Sequence, residues 1–388
     1  MKFRKFDRFD QPFSFLGLGT MRFPEKTEDG KSHLDYEKSV EIIRNAIDHQ
    51  VNYIDTARPY HDGSCEKAVG MALADGYREK VYLATKLTPW QVKKEEDMEA
   101  ILLSQLENLQ TQYIDIYMLH YLNRENWNKF LKLHVFDFLE RQRELGRIRY
   151  IGFSFHDDES LFREILDYYD WDICQIQLNI LDYNKQATVR GLQYAGTKGI
   201  PVVIMEPLKG GMLVNNIPEE VNDIWVKDGK GKPPIDWCFQ WLYHLPEVAL
   251  VLSGINDMGQ LEQNLDIVNN FTETGLSDSD LELINRIVTS YHKIWKVECT
   301  SCRYCLPCPH FVDIPMIFQY YNEASMFQNY RQSLLDYWSN VVGKGHSSME
   351  CTKCGLCMKK CPQALNIPAL IEEGHRYLMN QGEETVSS

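Results

Sequence analysis

Eight of the chain's eleven cysteines fall between Cys299 and Cys361, while Cys65, Cys174 and Cys238 are scattered through the residues before them. Nothing else in the sequence restricts the fold so sharply. A disulfide scaffold spreads its cysteines over the whole of a small domain, and this chain has 388 residues. Residues 1–10 alternate charge with Phe and lack the apolar core of a signal peptide. Apolar runs such as 200–205 and 248–255 are far too short to span a bilayer and suit buried strands. The chain is therefore expected in a reducing cytoplasm, with its cysteines serving as ligands rather than bridges. A boundary near residue 295 divides it into regions 1–295 and 296–388.

The clustered cysteines form two runs. Cys299, Cys302, Cys305 and Cys308 are spaced by two residues each and end in Pro309; Cys351, Cys354, Cys357 and Cys361 follow the pattern C-x2-C-x2-C-x3-C before Pro362. The second is the run that bacterial ferredoxins use to bind iron–sulfur cubanes, with the fourth cysteine ligating the other cluster. Three thiolates on one tight loop reach three iron corners, and the proline turns the chain away. By that logic one 4Fe–4S cluster takes Cys299, Cys302, Cys305 and Cys361, and the other takes Cys351, Cys354, Cys357 and Cys308. Structural zinc is the rival, but zinc modules pair two C-x2-C knuckles across a longer loop. His310 and His346 lie near the runs and read as surface residues. The long helical, aromatic-rich stretch between the runs, about 315–342, resembles α-helical ferredoxin domains. A last helix over 367–378 precedes a polar tail, 380–388, expected to be mobile.

Upstream, short apolar runs alternate with longer amphipathic ones. Candidate strands are 15–20, 52–55, 81–86, 114–120, 150–154, 173–178, 201–205 and 249–253. Helical periodicity marks 36–49, 65–74, 95–109, 130–145 and 186–198. Eight strand–helix units in series, with strands apolar on both faces, predict an α/β chain built as a parallel (β/α)8 TIM barrel followed by an all-α iron–sulfur domain. An open nucleotide-binding sheet would show G-x-G-x-x-G, but Gly17-Leu18-Gly19 lacks the third glycine and reads as a close approach of strands. The net charge of −14 argues against nucleic acid or an anionic membrane as partner.

Polar residues stand where a barrel places its chemistry, at the carboxyl ends of strands. Asp55, Lys86 and His120 end three successive strands, and Tyr60 follows Asp55 on a loop. A Tyr hydroxyl titrates near pH ~10. A buried ammonium beside it is expected to lower that value, a carboxylate to orient the ammonium, and a histidine to orient a carbonyl. The kit suits protonation of an oxygen while hydride arrives at carbon.

Asp55-Thr56-Ala57-Arg58-Pro59-Tyr60, followed by Gly63-Ser64-Cys65-Glu66, resembles the aldo/keto reductase signature. Ala84-Thr85-Lys86, the segment 115–120 ending in His120, the segment 147–154, Gln175-Ile176-Gln177 and Glu206-Pro207-Leu208 continue the match in order. The resemblance implies nicotinamide-dependent carbonyl reduction by the tetrad Asp55, Tyr60, Lys86 and His120. It also implies Ser154 and Gln177 as ligands of the nicotinamide carboxamide, Met205 beneath the ring in place of the usual aromatic, and Gln263 and Asn264 at adenine. Phe155 stands where the family has Asn, and residues 253–260 lack the Lys and Arg that clamp a 2′-phosphate, so NADP and NAD both remain open as cofactor.

The leading reading is an oxidoreductase that reduces a carbonyl-type small molecule with NAD(P)H and exchanges electrons, through two 4Fe–4S clusters, with a ferredoxin-like carrier. The alternative is an electron-transfer or scaffold protein with a nucleotide-inefficient barrel and structural clusters. Trp90, Tyr121 and Trp127 are candidates for lining the substrate pocket.

Overall fold

The architecture was taken from a computed structural model, which describes residues 1–28, 30–215, 217–271, 275–299, 305–327, 330–361 and 363–384. The chain divides into two compact units: Met1–Lys209 with Asp236–Leu276, and Gly210–Ile235 with the residues from Ser277 onward.

In the first unit eight strands close a barrel: β1 (Leu16–Gly19), β2 (Tyr53–Asp55), β3 (Tyr82–Leu87), β4 (Ile114–Leu122), β5 (Ile148–Phe155), β6 (Ile173–Gln177), β7 (Val202–Met205) and β8 (Val248–Gly254). Each pairs in parallel with its sequence neighbours, and β8 returns to β1 through Val251–Leu16 and Gly254–Gly19. All eight anticipated strands are present, displaced by a few residues at most. The apolar faces explain why: every residue of β3 and all but one of β4 are buried, as strands of a closed parallel sheet must be.

A short N-terminal hairpin, Phe3–Arg4 against Phe13–Ser14, stands before β1. Phe9 and Phe13 pack edge-on at 4.7 Å and join Tyr82 and Tyr150 in a cluster with barrel residues Tyr53, Ile116 and Met118. Aromatic pairs of this kind add roughly 0.5–1.5 kcal/mol beyond burial. Gly17 is a true close approach: a Cβ there would meet Leu250 Cδ1 at 2.7 Å and Leu252 Cδ2 at 2.9 Å.

The helices follow the amphipathic pattern, with one correction. The stretch 130–145, read as a single helix, is two: α4 (Arg124–Lys132) and α5 (Val135–Glu144), in a chain whose first helices are α1 (Tyr36–Asp48), α2 (Ser64–Ala72) and α3 (Glu95–Asn108). His134 takes a left-handed conformation, φ 47°, and breaks the hydrogen-bond ladder between them. Trp127 on α4 is buried against Phe136, Tyr168 and Trp171, so it is a packing residue and no part of a pocket.

The second unit is helical among the described residues. Its cysteine-bearing part is built on the helices Ile314–Phe327, Tyr330–Asn340 and Ile367–Glu384. Residues 380–384, read from sequence as tail, continue the last helix. Val297, Val312, Ile317, Phe318, Tyr337, Val341 and Ile371 form its core. No helix among the described residues is long and apolar enough to cross a membrane.

Gly152 in β5 leaves no room for a side chain, because a Cβ would sit 2.6 Å from the Ile173 carbonyl oxygen. Gly152→Ala is expected to destabilise the barrel by about 1–3 kcal/mol, read as a lower urea midpoint with an unchanged slope.

Candidate active site and iron–sulfur site

The carboxyl ends of the strands carry the barrel's polar residues. Asp55 closes β2, Lys86 lies one residue from the end of β3, His120 near the end of β4, and Tyr60 begins a single 3-10 turn after β2. Lys86 is fully buried and donates from Nζ to Asp55 Oδ1 at 2.7 Å and to the Thr56 carbonyl at 2.9 Å. Its Nζ lies 5.2 Å from the Tyr60 ring centroid, and the Tyr60 and His120 rings meet edge-on at 6.2 Å. The four residues named from sequence therefore form one group.

Charge in this group follows from geometry. Burial works against the Lys86 ammonium, but Asp55 and then Tyr60 overcome it and hold its pKa above the ordinary value. Burial pushes His120 well below the usual imidazole range, with Lys86 adding to the effect, so the ring is neutral at pH 7. For Tyr60 the sequence expectation needs correcting. Lys86 pulls its pKa down, as anticipated, yet burial outweighs that pull and the phenol sits above its ordinary value. It is held protonated.

Sequence reasoning did not find what fixes Lys86. Glu66, buried on α2, accepts from Thr85 Oγ1 at 2.9 Å and from Gln105 Nε2 at 2.8 Å; Gln105 also reaches the Lys86 carbonyl at 3.1 Å and accepts from the Tyr117 hydroxyl at 2.8 Å. Glu66 was visible within its motif, but burial of a lone carboxylate has no sequence signature.

Of the anticipated cofactor residues, Ser154, Gln177 and Met205 stand at or near the carboxyl ends of β5, β6 and β7. Ser154 is buried, and its Oγ accepts from the Tyr121 amide at 2.8 Å. Gln177 ends β6, accepting from Gln186 at 3.0 Å and donating to Asp182 at 3.3 Å. Asp182 is fully buried between Lys185 and Lys209, each at 2.9 Å, and these two cations hold its carboxyl well below the usual range against the effect of burial. Met205 ends β7 with Sδ 3.5 Å from Gln175 Nε2. Gln263 is exposed on the helix Met258–Asn269, whereas Asn264 is buried and donates to Ser253 Oγ at 2.8 Å. The Arg22 side chain runs beside Gly254, and its guanidinium stands 3.7 Å from Glu206. Trp90 and Tyr121 are both exposed, and the Trp90 ring stands 5.5 Å from that of His120 and 6.3 Å from that of Tyr121. Tyr121 near the end of β4 and Gln186, Glu206 and Lys209 in the segments after β6 and β7 all hold positive φ, strain of a sort that gathers at functional mouths.

In the helical unit a cavity of about 290 Å³ is lined by Cys308, Cys351, Cys354 and Cys357, with Cys305 also at its wall. Those first four are the quartet that spacing assigned to one cluster. The Lys353 amide donates to Cys351 Sγ at 3.4 Å, and burial raises the Cys357 thiol, with Cys351 and Cys308 adding to it. Cys299, Cys305 and Cys361 pack against the same core; Cys302 lies outside the described residues. Among the described residues no three His, Cys, Asp or Glu side chains close on one point, which a cubane does not require because its irons occupy separate corners. The donor set and the cavity fit a 4Fe–4S cluster. His310, read as a surface residue, is half-buried at the cavity wall. Cys65, Cys174 and Cys238 are buried packing residues, with the Cys65 and Cys238 thiols pushed up to about 12.

A closed parallel barrel with a buried Lys–Asp pair beside Tyr and His at its carboxyl mouth defines an oxidoreductase barrel, here carried with a cysteine-rich helical unit. The aldo/keto reductase family model matches residues 15–289 and the 4Fe–4S dicluster domain model matches residues 298–367. The chain belongs to the aldo/keto reductase family and is an NAD(P)-dependent oxidoreductase of that type. It is 27% identical over 329 residues to the NADH-specific methylglyoxal reductase of Escherichia coli, covering 73% of this chain and 97% of that one. It is 28% identical over 316 residues to the aldo-keto reductase YhdN of Bacillus subtilis, covering 71% and 90%. Among solved structures, aldo-keto reductase AKR11C1 of Bacillus halodurans superposes with a TM-score of 0.62 at 24% identity, covering 74% of this chain and 96% of that one.

If each cysteine quartet holds a cubane, the anaerobically purified protein should be brown, with about eight irons and eight acid-labile sulfides. Cys354→Ser is expected to halve both counts; zinc at about two per chain without sulfide would remove the assignment.

Proposed function

We propose that the barrel reduces a small carbonyl compound with NAD(P)H, and that the helical unit holds two 4Fe–4S clusters that exchange electrons with a protein carrier. The observation that carries the first part is the buried Lys86 ammonium, held on Asp55 at 2.7 Å beneath the face of Tyr60.

The nicotinamide, when bound, supplies hydride. The residues of this chain do the rest. Tyr60 gives its hydroxyl proton to the carbonyl oxygen, and the Lys86 charge stabilises the phenolate left behind. Asp55 keeps Lys86 charged and aimed. Neutral His120 orients the carbonyl by a hydrogen bond without competing as an acid. Ser154 and Gln177 would hold the carboxamide, and Gln177 is already fixed by Gln186 and Asp182. Met205 would pack against the ring through its polarizable sulfur, and Gln263 and Asn264 would contact the adenine. The absence of Lys and Arg from 253–260, with Arg22 beside Gly254, supports at most a small preference for NADPH over NADH. The E. coli relative is named as NADH-specific and as acting on methylglyoxal, which makes that dicarbonyl the first substrate to assay.

The clusters move one electron at a time, whereas hydride carries two. Two neighbouring cubanes supply a short path for single electrons, and this supports an electron-transfer role over a structural one.

The test is anaerobic methylglyoxal reduction with each nucleotide, followed from about pH 6 to above the ordinary phenol value. Tyr60→Phe is expected to lower kcat by about 10²–10⁴-fold while nucleotide binding, read by fluorescence titration, stays nearly intact. Because His120 remains neutral, the wild-type profile should show no break between pH 6 and 8, and activity should fall only above the ordinary phenol value as Tyr60 ionises. Undiminished reduction by Tyr60→Phe would remove the tetrad.

A further inference from the structure

The cavity lined by Cys308, Cys351, Cys354 and Cys357 opens beside a face that mixes exposed apolar and basic side chains. Cys354 is exposed. Next to it the short helix Leu356–Lys360 presents Leu356 at 46% and Met358 at 42% exposure, and Met349 just upstream is 65% exposed. Leu356 and Lys360 also line the cavity. Between Cys351 and Cys361 the sequence has Lys353, Lys359 and Lys360 and no acid, within a chain of net charge −14. Lys353 pairs with Glu372 at 2.8 Å. Lys359 and Lys360 are exposed and make no ion pair among the described residues.

Apolar side chains left in water beside a cluster site, with two exposed lysines next to them, match what transient electron-transfer contacts require. The apolar patch gives a small dry contact, and the cations steer an oppositely charged partner and set its orientation. We propose that this face, centred on Leu356, Met358, Lys359 and Lys360, is the docking surface for a small acidic one-electron carrier protein. The inference rests on the reading that the clusters are redox-active. One electron passes from the reduced carrier to the cluster: the carrier is oxidised by one, the cluster is reduced by one, and no bond forms or breaks. Entry is at the Cys354 edge because there a cluster ligand itself reaches the surface. A purely electrostatic explanation exists, in which the lysines balance the negative charge of the cluster, and it makes a different prediction.

The experiment uses the anaerobically purified holoprotein and stopped-flow bleaching of its cluster absorbance. Two reductants are compared: a reduced acidic 2[4Fe–4S] ferredoxin, and the methyl viologen radical cation, which needs no docking surface. Lys359→Glu is expected to slow ferredoxin-driven bleaching by about tenfold or more at low salt and to flatten its ionic-strength dependence. Viologen-driven bleaching and iron content should stay at wild-type values, and Lys359→Arg should retain the ferredoxin rate. An unchanged ferredoxin rate in Lys359→Glu overturns the docking surface. Equal slowing with both reductants overturns it as well, since the lysine would then act on the cluster. Wild-type clusters bleached by viologen but not by ferredoxin overturn the docking surface while leaving them redox-active. Clusters bleached by neither overturn the redox reading itself.

Discussion

The barrel's chemistry depends on one buried ion pair. Lys86 on β3 and Asp55 on β2 meet at 2.7 Å where both side chains are almost wholly excluded from water. Such a pair is costly to bury and contributes little net stability; removing one partner alone costs about 3–5 kcal/mol because the other charge is stranded. Its presence at the carboxyl end of two adjacent strands is therefore a functional choice. The register fixes it: Asp55 pairs with Ala84 across β2 and β3, which brings Lys86 beyond the end of β2 and lets its ammonium fold back to the carboxylate and to Thr56.

The consequences spread outward from that charge. Tyr60 lies over Lys86, His120 is kept neutral partly by it, and the Glu66–Gln105–Thr85 network anchors the strand that bears it. The phenol remains protonated because burial outweighs the ammonium's pull. A protonated donor beside a fixed cation is what a proton-delivering site needs before a substrate arrives, since the cation acts most strongly on the charge that develops as the proton leaves.

Much of this was legible in the sequence, for identifiable reasons. Barrel strands are apolar on both faces, so 81–86 and 114–120 stood out as runs, and their polar last residues stood out against them. The cysteine spacing named four residues that line one cavity, because local loops bring Cys351, Cys354 and Cys357 together without help from the rest of the fold. What escaped was set by packing. The break at His134 depends on a backbone angle, the balance at Tyr60 on how deeply it is buried, and the buried Asp182 between Lys185 and Lys209 on loops from two strands meeting. None of these has a periodic or motif signature. Likewise Arg22 approaches Gly254 only because β8 pairs with β1 in the closed barrel.

The pH dependence of kcat/KM for Lys86→Met, measured beside wild type with methylglyoxal, tests the role of this charge most directly. If Lys86 stabilises the developing phenolate, the variant should lose about 100-fold or more at neutral pH, and its alkaline limb should move upward because Tyr60 has lost the cation that opposes burial in setting its acidity. Wild-type turnover at neutral pH, or an alkaline limb that does not move, would contradict the account.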